Sequence, residues 1–261
     1  MIKVLIVFLL ITSHSLAHSA CDRVIRVAYP PFVNLLTINK FFDGLHRELS
    51  QETGCRVEYA LKKDFDAVLD SLIHYRHDAA LLPGAYLPTA IELGYQVVST
   101  VKRKNVIHVV SRKGFNGREL KEYGGLNILI LGHFSESGAR FEQALLDQNM
   151  LSKVNIEIGT SYERMMLAVM AKKADLAVII PEYWMLLSAD IRDKHLQIIH
   201  TLSVAPAGIV TRPGASEFSN VLIKTLNKQT KLMWEKPRLE GMDLPLLDQH
   251  IKNKVLDSLG K

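Results

Sequence analysis

Short apolar runs alternate with amphipathic stretches along most of this chain, and that alternation limits the folds open to it. Residues 24–29 (VIRVAY), 56–61 (RVEYAL) and 78–82 (DAALL) have the length and composition of strands. Between the first two, residues 37–52 place Ile38, Phe41, Phe42, Leu45 and Leu49 on one helical face, and Gly54 supplies a stop. Between the second and third, Asp64 caps a helix with Phe65, Val68, Leu69, Leu72 and Ile73 inward. The order β-α-β-α-β predicts a doubly wound parallel sheet with helices on both faces. Such sheets bind ligands at the carboxyl ends of their strands. Here those ends are Tyr29-Pro30-Pro31, residues 62–65 and residues 83–86.

The rhythm breaks at 95–101 and 106–112, two strand-like runs with no helix between them. It resumes after Gly117. Strand 127–131 is followed by a helix from Ser137, strand 154–158, helix 161–172 and strand 175–180, which ends in Pro181-Glu182-Tyr183-Trp184. Thr160-x-x-Glu163 has the capping-box pattern, and Tyr162, Met165, Met166 and Val169 face inward behind it. Runs 196–202 and 208–211 are strands that can return to the first unit, and helices 217–233 and 246–259 follow. The expectation is an α/β fold of two lobes. Each is a mainly parallel sheet flanked by helices, and two extended segments form the hinge. Residues 18–103 and 203–261 form one lobe and 104–202 the other. Loops at the strand ends of one lobe then face those of the other, and a ligand between them is enclosed by hinge closure.

Within the second unit, residues 126–145 (LNILILGHFSESGARFEQAL) run from a strand through a Ser/Gly turn into a helix. The first N–H groups of a helix lack intrahelical partners and the dipole end is positive, so such a turn suits an anion or a polar head group. Ser135 and Ser137 add hydroxyl donors. The plainer alternative is an N-cap by one of these serines, with Glu136 complementing the dipole.

Residues 1–17 have the form of a secretory signal peptide: Lys3, an apolar core at 4–11, and Ser15-Leu16-Ala17 before the cleavage point. No other stretch approaches the roughly 18 apolar residues of a membrane span. The mature chain is therefore expected to be soluble and exported. Cys21 and Cys55 each precede a strand of the first βαβ unit, at the same end of the expected sheet, and a disulfide between them suits an oxidising compartment. Two alternatives stand beside it: unpaired thiols, or a lipoprotein cleavage at Ala20-Cys21 that lipidates Cys21. His18 is not the Leu that such a cleavage takes.

The formal charge is +5 at pH 7, and its only dense basic run is VKRKN at 101–105. No aromatic platform is interleaved with it, so no nucleic-acid partner is expected. His74 and His77 share a helix face but two histidines do not complete a metal site. No cofactor is expected. There is no G-x-S-x-G, H-E-x-x-H or P-loop, so an enzyme is not expected either.

The motifs LLPGAY (81–86), SESG (135–138), SYERMMLAVMAKKADLAVI (161–179) and IPEYW (180–184), in that order, resemble the periplasmic solute-binding proteins of ABC transporters. The resemblance is closest to the family that binds phosphonate, phosphite and phosphate, and runs from about 24 to 236. It implies a type 2 periplasmic binding protein that captures a small polar solute and delivers it to an ABC permease, as a monomer in the periplasm. It implies an anion held by Ser135, Ser137 and Gly138, contacts from Tyr86 and from Ser161 or Tyr162, an aromatic wall at Tyr29, and closure by Glu182 and Tyr183. The Glu182 carboxylate would serve a ligand ammonium. One departure stands out. Glu136 sits where the family carries small or hydroxyl residues, and a carboxylate facing the cleft would repel an anion. Arg140, one turn on, is a candidate to neutralise it. The alternatives are a sensory module of the same fold that signals to a membrane receptor or kinase, and a binder of an amino acid or another small solute.

Overall fold

The computed structural model describes residues 21, 23–31, 35–102, 105–228, 234–237 and 244–258. The expected leader at 1–17 lies outside them. In chain order the elements are β1 Val24–Tyr29, α1 Leu35–Phe41, α2 Asp43–Thr53, β2 Arg56–Leu61, α3 Phe65–Ile73, β3 Ala79–Leu82, α4 Leu87–Glu92 and β4 Gln96–Val101. The middle of the chain supplies β5 Asn105–Arg112, β6 Asn127–Ile130, α5 Glu136–Asp147, β7 Asn155–Ile158, α6 Tyr162–Met170, β8 Leu176–Ile179, α7 Pro181–Leu186, α8 Ala189–His195 and β9 Leu196–Val204. Then come β10 Gly208–Thr211, α9 Ser216–Lys228, β11 Trp234–Glu235 and α10 Pro245–Ser258.

The strands form two sheets, ordered β11-β4-β10-β3-β1-β2 and β7-β6-β8-β5-β9. Each has a parallel trio, β2-β1-β3 in the first and β7-β6-β8 in the second. Each is extended by an antiparallel strand that has just crossed from the other sheet: β10 against β3, and β5 against β8. The sheets are therefore mixed, where the β-α-β rhythm alone predicts a purely parallel first sheet. The strands that return the chain carry the reversed direction. The crossovers lie between β4 and β5 and between β9 and β10, and they run side by side. Val101 N–H donates to Ala207 O at 2.9 Å, and Asn105 Nδ2 donates to Ala205 O at 3.1 Å.

Strand alternation sets the cores. In β1, Ile25, Val27 and Tyr29 enter the core under α1, α2 and α9, while Ala28 enters the opposite one under α3 and α4. In the second sheet Phe141, Ala144 and Leu145 of α5 cover one face, and Met165, Met166 and Val169 of α6 the other. Leu247 and Ile251 of α10 join the core that holds Phe65 and Leu69 of α3 and Ala139 of α5, so this helix packs on both lobes.

Three local expectations are corrected. The single helix expected over 37–52 is two, α1 and α2, which meet at Phe42 (φ −118°, ψ −9°). Ser161 rather than Thr160 caps α6, accepting from Arg164 N–H at 3.3 Å. Pro181-Glu182-Tyr183 opens α7 rather than continuing as a loop, with Pro at the position where a missing N–H costs nothing. Cys21 and Cys55 form a disulfide across the neighbouring starts of β1 and β2. A Cys21 sulfur so bonded is not a lipidation site.

Candidate functional site

A cavity of about 360 Å³ lies between the two sheets. The first lobe contributes Phe42, Phe65, Pro83 and Trp234 to its wall. The second contributes Ser135, Glu136 and Ser137 from the start of α5, Tyr162 from α6, Glu182 and Tyr183 from α7, and His108 from β5. Among the described residues that line it there is no Lys or Arg.

The α5 turn is both a cap and a cavity wall. Ser135 Oγ accepts from Gly138 N–H at 3.0 Å and donates to Gly132 O at 2.6 Å, so its one proton is used within the turn. Gly138 is required by close approach: a Cβ there would stand 2.3 Å from Gly132 O. Ser137 Oγ lies 3.0 Å from Tyr162 Oη and 3.3 Å from Ser135 Oγ. Ser135 and Ser137 are both buried. With the Tyr162 proton directed to Ser137, the Ser137 proton is the hydroxyl donor this group can offer a solute.

Glu136 faces the first lobe. Its Oε1 accepts from Ala85 N–H at 3.0 Å. The residue keeps some surface because it lines the cavity, but its carboxyl is enclosed between the lobes. Burial pushes that carboxyl up to about 8, against the pull of the Ala85 N–H. Arg140 does not contribute to the Glu136 carboxyl's shift, which is set by burial and the Ala85 N–H; its Nε donates to Ser203 O at 3.0 Å. A second bond crosses the lobes beside this one: Tyr86 Oη donates to Phe134 O at 2.6 Å.

The expected site residues divide accordingly. Ser135, Ser137, Glu182 and Tyr183 line the cavity together. Tyr86 does not; it is fully buried, stacks on Phe65 at 5.9 Å and uses its hydroxyl to tie the lobes. Tyr29 is a core residue rather than a cavity wall, because strand alternation turns it beneath α2, where Oη lies 2.7 Å from His46 Nε2. Phe42, packed edge-on to Tyr29 at 5.0 Å, takes the wall position. Ser161 is spent as a cap, and its neighbour Tyr162 reaches the cavity. Gly138 N–H is taken by Ser135.

Sequence reasoning missed Phe42, Phe65, His108 and Trp234 as wall residues. Phe65 stood at the carboxyl end of β2, so the strand-end rule pointed to it. His108 carried no signal, being one residue of an apparent strand. Its Nδ1 lies 3.1 Å from Thr201 Oγ1, and burial lowers its imidazole below the ordinary range, so it is neutral at pH 7. Tyr162 and Tyr183 pack with ring centroids 4.8 Å apart, and burial raises both hydroxyls, Tyr183 to about 12.

Two mixed sheets that exchange strands through a double crossover, with a cavity where their strand ends face each other, define a type 2 periplasmic binding protein. The chain belongs to the phosphonate family of periplasmic substrate-binding proteins of ABC transporters, whose sequence model matches residues 27–227. No curated protein matches it significantly by sequence. Among solved structures it is similar to PhnD1 from Prochlorococcus marinus (MIT 9301) in complex with methylphosphonate, with 17% identity, TM-score 0.72, and coverage of 91% of this chain and 98% of that one. It is also similar to a binding protein component of an ABC phosphonate transporter from Pseudomonas aeruginosa (14%, TM-score 0.67, 90% and 88%). A third likeness is to the periplasmic VFT2 domain of BvgS from Bordetella pertussis (18%, TM-score 0.53, 88% and 92%).

Proposed function

We propose that this chain is the solute receptor of an ABC importer: it closes on one small solute in the interlobe cavity and presents it to the membrane permease. Ser137, Tyr162, Glu136, Glu182 and Tyr183 are the polar contacts in this reading. One observation carries it. Residues of both lobes wall a single cavity, and direct bonds join the lobes beside it (Glu136 to Ala85, Tyr86 to Phe134). At about 360 Å³ the cavity falls at the small end of the range for solute pockets, roughly 300–1,000 Å³. The family supplies phosphonate as the reference ligand, and phosphite and phosphate are its simplest oxyanion analogues.

The test is a thermal-shift screen of the exported chain against those three anions, sulfate, the amino acids and simple amines. A solute that binds only the folded state raises Tm with concentration. A saturable rise with one class, confirmed by calorimetry, is expected. Silence from every class removes the solute-capture reading.

A further inference from the structure

The start of α5 is poorly equipped for an anion in this chain. Three donors that an oxyanion would use are already engaged: Gly138 N–H on Ser135 Oγ, the Ser135 proton on Gly132 O, and Ala85 N–H on Glu136 Oε1. The acceptor of the last is a carboxyl that stands in the cavity wall. No Lys or Arg is found among the described lining residues to offset it, and a second carboxyl, Glu182, lines the same space. The remaining wall is largely apolar, with Phe42, Phe65, Tyr162, Tyr183 and Trp234 contributing aromatic surface. Enclosed carboxyls beside aromatic faces match the chemistry of a cation with a hydrocarbon body.

We propose, resting on the solute-receptor reading, that the cavity takes a small organic cation, an alkylammonium or quaternary ammonium, and not a phosphorus oxyanion. Glu136 is the charge partner and the aromatic wall desolvates the hydrocarbon part. Binding is then coupled to a proton. The enclosed Glu136 carboxyl holds its proton at pH 7, and a cation beside it favours the carboxylate, so the proton leaves to solvent as the cation enters. Three of the titratable groups around Glu136 do not supply that proton at pH 7: Tyr86 and Tyr162 have hydroxyls raised by burial, and His108 across the cavity is already neutral. A fourth, Glu182, is separated from Glu136 by the paired variants below.

The probes are choline, n-butylammonium, methylphosphonate and inorganic phosphate, each titrated calorimetrically into the wild-type chain and into Glu136→Gln. Gln keeps an acceptor for Ala85 N–H, so this variant preserves the interlobe bond. The expected result is saturable binding of a cationic probe at pH 7 that releases up to about one proton, read with a pH indicator in weakly buffered solution. Glu136→Gln should weaken it by about tenfold or more and abolish the proton release. Glu182→Gln, made in parallel, should weaken it without abolishing the release. Binding of methylphosphonate or phosphate by the wild type, with the cations inert, overturns the proposal and leaves the receptor reading standing. A cation that binds Glu136→Gln as tightly as wild type also overturns it. No binding by any probe or by the wider panel overturns both.

Discussion

The carboxyl of Glu136 in one lobe accepts a hydrogen bond from the Ala85 backbone N–H of the other at 3.0 Å. The chain thus places its own oxygen acceptor at the lobe junction, at the helix start where the family resemblance implies an anion. The bond satisfies one buried donor and leaves an enclosed acid whose charge is expensive. One side chain thus carries both an interlobe bond and a buried titratable group.

The buried carboxyl predicts a pH dependence of stability. The ordinary carboxyl value is 4.5 and the folded value about 8. Between them the folded state binds more protons than the unfolded, so this group's contribution falls as pH rises from about 4.5 to about 8 and is constant outside that window. Glu136→Gln removes the dependence. Urea denaturation of solute-free protein should show the variant gaining on wild type across the window, by a few kcal/mol in total on the order set by the shift. A constant difference from pH 4.5 to 8 would show that the carboxyl titrates normally.

Tyr86→Phe isolates the second interlobe bond. The ring keeps its stacking on Phe65 at 5.9 Å, while Phe134 O loses the hydroxyl that donates at 2.6 Å. The expected cost is about 0.5–1.5 kcal/mol, the net contribution of one such hydrogen bond. Because the bond joins the lobes, solute affinity should fall as well as stability. Equal Kd values for the variant and wild type would confine Tyr86 to the core.

The disulfide closes a sequence separation of 34 residues around β1, α1 and α2. In the chain-entropy model a loop of that length stabilises by about 3–4 kcal/mol. Cys21→Ser with Cys55→Ser, or reduction of the wild type, should lower Tm accordingly, and dithiothreitol should have no further effect on the double variant. The bond lies at the amino ends of β1 and β2, opposite the strand ends that face the cavity, so solute affinity of the folded double variant should be close to wild type.

Much of this architecture was legible because it is written in short-range periodicity. The parallel trios, the flanking helices and the two extended crossovers follow from alternation and helical spacing in the sequence. The pairing of Cys21 with Cys55 followed from strand order. The site was legible only in part. Ser135-Glu136-Ser137-Gly138 supports a cap and a cavity wall equally well, and it proved to be both. The direction of Glu136 depends on Ala85, whose N–H is 51 positions away in sequence, and no local pattern encodes that distance. Tyr29 shows the same limit. It sits at the correct strand end, but which face it takes is fixed by the helix that covers it. Ser161 and Thr160 are adjacent hydroxyls, and only the backbone decided which one caps.

The last prediction concerns the crossovers. Gly84 packs directly on the second one: a Cβ at this position would stand 2.5 Å from Ala205 Cβ and 2.7 Å from both Ala205 C and Pro206 O. Two of those neighbours are backbone atoms, so a flexible side chain cannot simply swing away, and the crossover itself must shift. That crossover is tied to the first by the Asn105 side chain on Ala205 O and by Val101 N–H on Ala207 O. Gly84→Ala should therefore cost about 1–3 kcal/mol as an overpacking change. It should also displace Ala85, whose N–H meets Glu136. A joint effect is expected: a lower Tm and a weaker solute affinity, with the affinity loss much reduced when Glu136→Gln is already present. If the two substitutions instead add in both measurements, the hinge and the Glu136 contact act independently, and Gly84 matters for packing alone.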